Sequence, residues 1–211
     1  MKIKVNRGFI NIITMVLFFL GLGVLTANLV SANANTNSCY EEENESTGCF
    51  NDLYMGGKWV GGTVPVVLTN LGDANIKTKM RSAITHFNSS QTYLNIYETT
   101  SYPIEKGYIK ATDDHYYFET WTATAAGSWQ GGWPIDINYN DMKPINIKFN
   151  LVNFFDGTDF QETGTARHEL GHSIGLGHKT SQYTLMYCNR SRYYNTLTNA
   201  DKETFISLLN K

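Results

Sequence analysis

The sequence predicts an α+β fold, because one long amphipathic helix and two later helices are combined with several short strand-like runs. The long helix begins at a candidate N-cap, Asp73, behind which apolar residues recur at helical spacing: Ile76, Met80, Ala83, Ile84 and Phe87. The chain has 211 residues, of which 42% are hydrophobic and 17% charged. That composition is sufficient for a buried core and excludes wholesale disorder.

Five runs are predicted as strands, at 64–68, 94–97, 108–111, 116–124 and 145–150. Pro65 indicates that the first is an edge strand or that it begins there. Strict alternation in the last run predicts a half-buried strand. The segment Gly127–Pro134 is rich in glycine and is predicted to be a loop.

Two further helices follow these strands. One is predicted over residues 162–174, and the other ends the chain. In the last helix, Thr198 and Asp201 are consistent with an N-terminal cap. Its apolar face is formed by Phe205, Leu208 and Leu209.

The N-terminus predicts a secretory signal peptide over residues 1–34. A positive n-region, formed by Lys2, Lys4 and Arg7, precedes an apolar stretch and two small-residue cleavage sites, after Ala32 or Ala34. An uncleaved membrane anchor is the alternative, but polar interruptions and the small-x-small end favour cleavage. We therefore expect a secreted protein without stable membrane association. Residues 35–57 are then a short propeptide or an N-terminal extension, and residues 58–211 form the domain.

Charge argues against nucleic acid as a partner. The chain has 17 basic and 19 acidic residues, and loss of the signal peptide leaves 14 basic residues against 19. No extended basic patch survives. The acidic run Glu41–Glu45 is interpreted as a solvated loop.

The chain has three cysteines, Cys39, Cys49 and Cys188. Outside the cell Cys39 and Cys49 can close a small loop, or either of them can pair with Cys188. Spacing alone does not decide the connectivity, and one cysteine stays unpaired.

Residues 168–178 have the spacing of a zinc site. His168 and His172 are four residues apart on the predicted helix, so both ring nitrogens can face one ion. Gly175 tolerates a positive φ and lets the chain turn, so that His178 approaches from another direction. Three histidines leave a fourth position for water, which is typical of a catalytic zinc site.

Glu169 follows the first of these histidines and projects to a different part of the helix surface. It can accept a proton from a zinc-bound water and deliver it to a leaving amine. The opposing interpretation is an amphipathic helix with ordinary histidines, which the five-residue pattern disfavours. We interpret His86 and His115, which lie outside the pattern, as structural.

The motif resembles that of the metzincins, and within them the matrixins. The match runs in full from His168 to His178, and Thr184–Tyr187 resembles the family's methionine turn, with Met186 eight residues after the third histidine. Astacins and serralysins carry a zinc-binding tyrosine two residues after the methionine. Cys188 stands at that position, so we expect no tyrosine ligand.

The chain also departs from the matrixin pattern. Lys179 replaces the usual serine, and Cys188 stands where proline is frequent. No calcium or structural-zinc loop is recognisable between Asp113 and Asn150, so one catalytic Zn²⁺ is expected and calcium is unsupported. There is no cysteine-switch propeptide. A thiolate from Cys39 or Cys49 on the zinc is less favoured than a disulfide.

The resemblance implies a twisted, mostly parallel sheet with three main helices and a cleft that carries the zinc. It also implies a monomeric, extracellular endopeptidase acting on protein or peptide substrates. Residues 145–150 are our candidate for the strand that binds the substrate, and the loop with Trp129 and Trp133 is either a cleft wall or ordinary packing. Two alternatives remain open: a secreted zinc- and peptide-binding module without turnover, and a peptidase for a narrower substrate such as a cell-wall crosslink.

Overall fold

The computed structural model describes residues 57–59, 62–103, 107–127, 137–138 and 144–209. Its main sheet has the strand order β3-β2-β4-β7-β5. Only β5 is antiparallel to its neighbour in this sheet. The strands are β2 (Thr63–Val67), β3 (Asn95–Thr99), β4 (Ile109–Asp114), β5 (Ala123–Gly127) and β7 (Ile145–Asn150), and a separate parallel pair joins β1 (Gly57–Lys58) to β6 (Ile137–Asn138). The predicted α+β fold with a mostly parallel sheet is confirmed.

Three of the described helices are long, as predicted, and a fourth is a single turn. They are α1 (Ala74–Ser90), α2 (Leu151–Phe154), α3 (Asp159–Ser173) and α4 (Asn199–Leu209). Asp73 caps α1 by accepting hydrogen bonds from the N–H groups of Asn75 and Ile76, at 2.8 and 3.0 Å. The whole predicted apolar stripe of α1 is buried, and α1 packs against α3.

A buried lysine fixes α1 to the start of α3. Lys79 is 7% exposed and forms ion pairs with Asp159 and with Glu162, the latter at 3.7 Å. Both carboxylates lie in the first turn of α3, where the helix dipole favours negative charge. This contact sets the position of the helix that carries the histidine motif.

The strand predicted over 116–124 is wrong for most of its length. Residues 115–122 form no strand, and β5 starts at Ala123. The side chain of Asn150 accounts for this, because its amide donates to the carbonyls of Tyr116 and Trp121, both at 3.1 Å. Its Oδ1 accepts from the Tyr116 N–H at 3.2 Å. One fully buried asparagine thus satisfies loop backbone groups that would otherwise need a neighbouring strand.

The edge position suggested by Pro65 is also wrong, since β2 lies between β3 and β4. Pairing with β4 involves only Val66 and Val67. Pro65 therefore lies where β2 has a neighbour on one side only, which a residue without an N–H tolerates.

A third correction concerns the candidate substrate strand over 145–150. β7 pairs with β4 on one side and with β5 on the other, so it has no free edge. Among the described strands, β3 and β5 form the two edges of the main sheet, and β5 is the one that packs beside α3.

Several predictions fall on residues outside the described ranges. These are the signal peptide, nearly all of residues 35–57, Cys39, Cys49, Trp129 and Trp133. In the described part, no helix combines the length and apolar character needed to cross a bilayer.

Candidate metal centre

The histidine motif lies at the C-terminal end of α3. The helix begins with a capping box, in which the Thr158 side chain accepts from the Gln161 N–H and the Gln161 side chain accepts from the Thr158 N–H. From this start the helix runs to Ser173. His168 and His172 therefore lie one turn apart, as predicted, and both are buried, with 0% and 3% exposure.

Gly175 makes the turn that brings in the third histidine. Its φ is +108°, a backbone conformation that residues with a Cβ rarely adopt. The turn is held by the Leu176 N–H, which donates to the Gly171 carbonyl at 3.0 Å. His178 follows and is 5% exposed. The role predicted for Gly175 is confirmed by this geometry.

The three histidines converge on one point. The Nε2 atom of His172 is 2.9 Å from that of His168 and 3.1 Å from that of His178. The Nδ1–H of His168 donates to the Leu185 carbonyl at 2.9 Å, and the Nδ1–H of His172 donates to the Leu176 carbonyl at 2.8 Å. A carbonyl can only accept, so these bonds fix the tautomer and leave the Nε2 lone pairs pointing inward.

This arrangement fits a zinc ion. Nitrogens about 2.0–2.1 Å from a tetrahedral zinc lie about 3.4 Å apart, so the rings need to separate by only a few tenths of an ångström. The lone pairs of three buried imidazoles that face each other repel one another. A cation bound between them removes this repulsion. The described residues offer no second group of three close histidine, cysteine or carboxylate side chains.

Burial keeps the imidazoles of His168 and His178 neutral. It is the main cause that holds the pKa of His168 well below its usual value, followed by the positive charge of Arg192 and the charges of the other two histidines. Burial and then Arg192 lower the pKa of His178 to about 4. Neutral rings at neutral pH are the form that binds a metal ion.

Met186 lies directly beneath α3. A Cβ atom added at Gly171 would be 2.7 Å from its Sδ and 3.3 Å from its Cε, so the methionine packs where the helix has no side chain. Its carbonyl accepts from the Lys179 N–H at 2.8 Å. The predicted methionine turn is thus joined to both the histidine helix and the segment after His178.

Asp201 supports this turn from α4, a contact that the sequence did not reveal. It is fully buried, and its carboxylate accepts from the Leu185 and Met186 N–H groups at 3.0 and 3.4 Å. It also accepts from the Thr198 N–H and hydroxyl, at 2.9 and 2.8 Å, as the predicted cap requires. Because the Leu185 carbonyl orients His168, Asp201 holds the turn that positions this ring.

Trp59 is a second contact that sequence reasoning missed. Its indole N–H donates to the Ser173 carbonyl at 3.0 Å, at the last residue of α3. Carbonyls in the last turn of a helix have no partner within the helix. The indole therefore caps the end of the helix between His172 and the turn at Gly175.

Glu169 lies next to His168 and is 1% exposed. Its backbone carbonyl accepts from the Ser173 hydroxyl at 2.9 Å. The side chain is therefore in the protein interior, at the residue next to His168.

The other candidate residues lie elsewhere. His86 accepts from the Leu197 N–H at 3.0 Å, a structural role, and His115 stacks on Tyr117 at the surface. Asp113, where the segment without a recognisable calcium loop begins, accepts from the N–H groups of Gly72 and Asp73, at 2.9 and 2.7 Å. Cys188 is disulfide-bonded.

Comparison with known proteins supports the same reading. A search of curated proteins gives no significant match. The family model described as matrixin matches residues 68–209, which include strands β3 to β7, the histidine helix, the methionine turn and α4. That match spans more than half of the chain and contains the three histidines that converge. The chain therefore belongs to the matrixin family, which indicates a zinc metallopeptidase acting on proteins.

Proposed function

We propose that this protein is a secreted zinc endopeptidase in which His168, His172 and His178 bind one zinc ion and Glu169 is the general base. The observation that carries the proposal is the convergence of three buried Nε2 atoms, two pairs of which are 2.9 and 3.1 Å apart. Three ligands leave a position open, as in catalytic zinc sites.

Each residue of the site has a separate role in the proposed hydrolysis. A zinc ion held by the three histidines would make a water more acidic and would polarise the carbonyl of the peptide bond. Glu169 accepts the proton from the attacking water and then delivers it to the leaving amine. Asp201 and Gly171 contribute by position, since they hold the turn against which His168 is oriented.

Substrate would bind along the edge strand β5. Residues Ala123–Gly127 pair with β7 on one side, and no other described strand pairs with them. A peptide that adds to this edge gains backbone hydrogen bonds and lies beside α3. This replaces the earlier candidate, β7, whose two edges are both paired.

The test is digestion of an unfolded protein by the purified chain and by Glu169→Gln, each assayed for bound zinc. We expect Glu169→Gln to keep one zinc ion and to lose activity by about 10²–10⁴-fold, the usual contribution of a general base. Chelation should abolish the activity of the wild type. Full turnover by Glu169→Gln would refute the assigned role, and zinc binding without any turnover by the wild type would favour the binding-module alternative.

Secretion rests on the sequence of residues 1–34. N-terminal sequencing of protein recovered from the culture medium should show a mature start after Ala32 or Ala34. Retention of the uncleaved chain in the membrane fraction would contradict it.

A further inference from the structure

A cavity of about 280 Å³ lies between the end of α1 and α4, and none of the three metal-binding histidines lines it. Its apolar wall consists of Phe87, Leu176, Leu197 and Phe205. All of these except Leu197 are at most 5% exposed. Tyr93 packs against Phe205, with ring centroids 6.1 Å apart, and is itself 49% exposed. The cavity is therefore an apolar recess with a rim that is open to solvent.

Lys202 on α4 is the one charged side chain among the described residues that line this cavity. It is half-buried. In the described ranges, the ion pairs are made by Lys79 and Arg81, so no described carboxylate neutralises the Lys202 ammonium. An apolar cavity with such a cation in its wall matches a ligand that combines an apolar body with a negative charge.

A second positive charge lies near Lys202. After burial, the charges of Arg167 and Lys202 are the causes that lower the pKa of His86, so both cations lie close to that ring. The Arg167 guanidinium donates to the Asn195 carbonyl at 2.7 Å and forms no ion pair with a described carboxylate. His86 accepts from the N–H of Leu197, a residue of the cavity wall. The electrostatic potential on this side of the cavity is therefore positive, which favours an anion.

The two helices that border the cavity determine which end of it suits a negative charge. α1 ends at Ser90, and the carbonyls at that helix end oppose an anion beside them. Lys202 lies about one turn from the start of α4, where the helix dipole attracts negative charge. A bound carboxylate is therefore expected at Lys202, with its apolar chain directed toward Phe87 and Phe205.

The volume of the cavity limits the size of its ligand. A cavity of about 150 Å³ holds benzene, which has six heavy atoms. At the same density, about 280 Å³ holds roughly eleven heavy atoms. A straight-chain carboxylate of eight or nine carbons has this size.

Leu176 joins the cavity to the support of the metal centre. Its side chain lines the cavity, and its carbonyl accepts from the His172 Nδ1–H at 2.8 Å. Its N–H donates to the Gly171 carbonyl at 3.0 Å. A ligand packed against Leu176 therefore restrains the residue whose carbonyl orients His172.

We propose that this cavity binds monocarboxylates with an apolar chain of about eight carbons, and that the bound ligand stabilises the metal centre through Leu176. The cavity is a second site, separate from the three histidines. Because coupling between two sites is reciprocal, zinc and the carboxylate each raise the affinity for the other. An effect on hydrolysis rests on the proposed function, whereas binding to the cavity does not.

Binding is tested by titrating octanoate into zinc-loaded, isotope-labelled Glu169→Gln, in which self-digestion is suppressed, and recording the amide chemical shifts. We expect a dissociation constant on the order of 1 mM, with the largest shifts at Ser90, Lys202 and Phe205. Butanoate should bind at least tenfold more weakly, because each CH₂ contributes about two- to fourfold in affinity. Affinity that does not depend on chain length, or shifts centred on the histidines, would overturn the proposal.

The matched variants are Lys202→Gln and Lys148→Gln, which remove the same charge from the cavity and from an exposed position on β7. We expect Lys202→Gln to weaken octanoate binding about fivefold and Lys148→Gln to leave it unchanged. Octanol has the same chain without the charge, so its binding should be the same in both variants. Equal effects of the two variants on octanoate would overturn the proposal.

The coupling is tested by measuring zinc affinity in competition with a chromogenic chelator, with and without saturating octanoate. We expect octanoate to raise the zinc affinity of the wild type about two- to fivefold. At the same octanoate concentration, Lys202→Gln should show a smaller increase, which accounts for any binding of octanoate to zinc itself. An increase of equal size in both proteins, or none, would overturn the coupling. Octanoate binding by a protein that binds no zinc would refute the proposed function and leave the cavity as a binding site.

Discussion

Gly171→Ala is expected to destabilise the protein, although alanine is the better helix former. The added Cβ would lie 2.7 Å from the Met186 Sδ, so the methionine must move by about 1 Å to restore an ordinary contact. Met186 is 1% exposed, so its side chain is enclosed by the protein. Overpacking of this kind costs about 1–3 kcal/mol, against a gain of up to about 1 kcal/mol in helix propensity.

Gly164→Ala is the matched control on the same helix. There the new Cβ would lie 3.3 Å from the Asn195 Cβ and 3.5 Å from an Arg192 nitrogen, contacts that a small adjustment relieves. The propensity gain is similar, so the two variants should differ by about 2 kcal/mol, with Gly171→Ala the less stable.

Differential scanning calorimetry of both variants, with and without zinc, measures this difference. We expect Tm values about 4–8 °C apart. Zinc affinity should fall about 10–100-fold for Gly171→Ala only, because the displaced turn carries the Leu185 carbonyl that orients His168. A Gly171→Ala protein as stable as Gly164→Ala would refute the argument that close packing under α3 requires a glycine.

Three further perturbations have defined outcomes. Asp201→Asn should lower the free energy of unfolding by about 2–4 kcal/mol, because a buried carboxylate with several N–H donors is replaced by a group that itself donates. Urea denaturation measures this change, and an unchanged midpoint would contradict it. Burial lowers the pKa of His86 to about 4, so the neutral ring stabilises the fold above pH 6.5 and this contribution is lost as the pH falls from 6.5 to 4. Solvent screening at the half-buried ring limits the loss to about 1–2 kcal/mol; chelated His86→Gln should lose less stability than chelated wild type by this amount, because His168 and His178 titrate in both proteins. Chelation should lower the Tm of the wild type by about 5–10 °C when zinc exceeds its dissociation constant about 100-fold, and His178→Ala should be insensitive to the chelator.

The metal centre was predictable because its determinants are local. A spacing of four residues on a helix places His168 and His172 together whatever the rest of the fold does. The positive φ of Gly175 is likewise a property of one residue. The caps at Asp73 and at Thr198 with Asp201 were recognised for the same reason, since a cap bonds within its own first turn.

Contacts between distant segments were not predictable. Asp201 reaches back to Leu185 across 16 residues, and nothing in the local pattern of α4 indicates this second partner. The strand order is a similar case, because alternation identified β7 as a strand but carried no information about its neighbours. Residues 116–122 have strand composition, yet the buried amide of Asn150 holds them as a loop.

The capping indole of Trp59 is synthesised 114 residues before the Ser173 carbonyl that it binds. At about 5–20 residues per second, a ribosome needs about 6–23 s to cover that interval. During this time the tryptophan has no helix end to cap, and Asp201 is made later still. The contacts that hold the metal centre are therefore completed only after α4 has been made, and a chain that ends before α4 lacks the carboxylate that holds the turn at Leu185 and Met186.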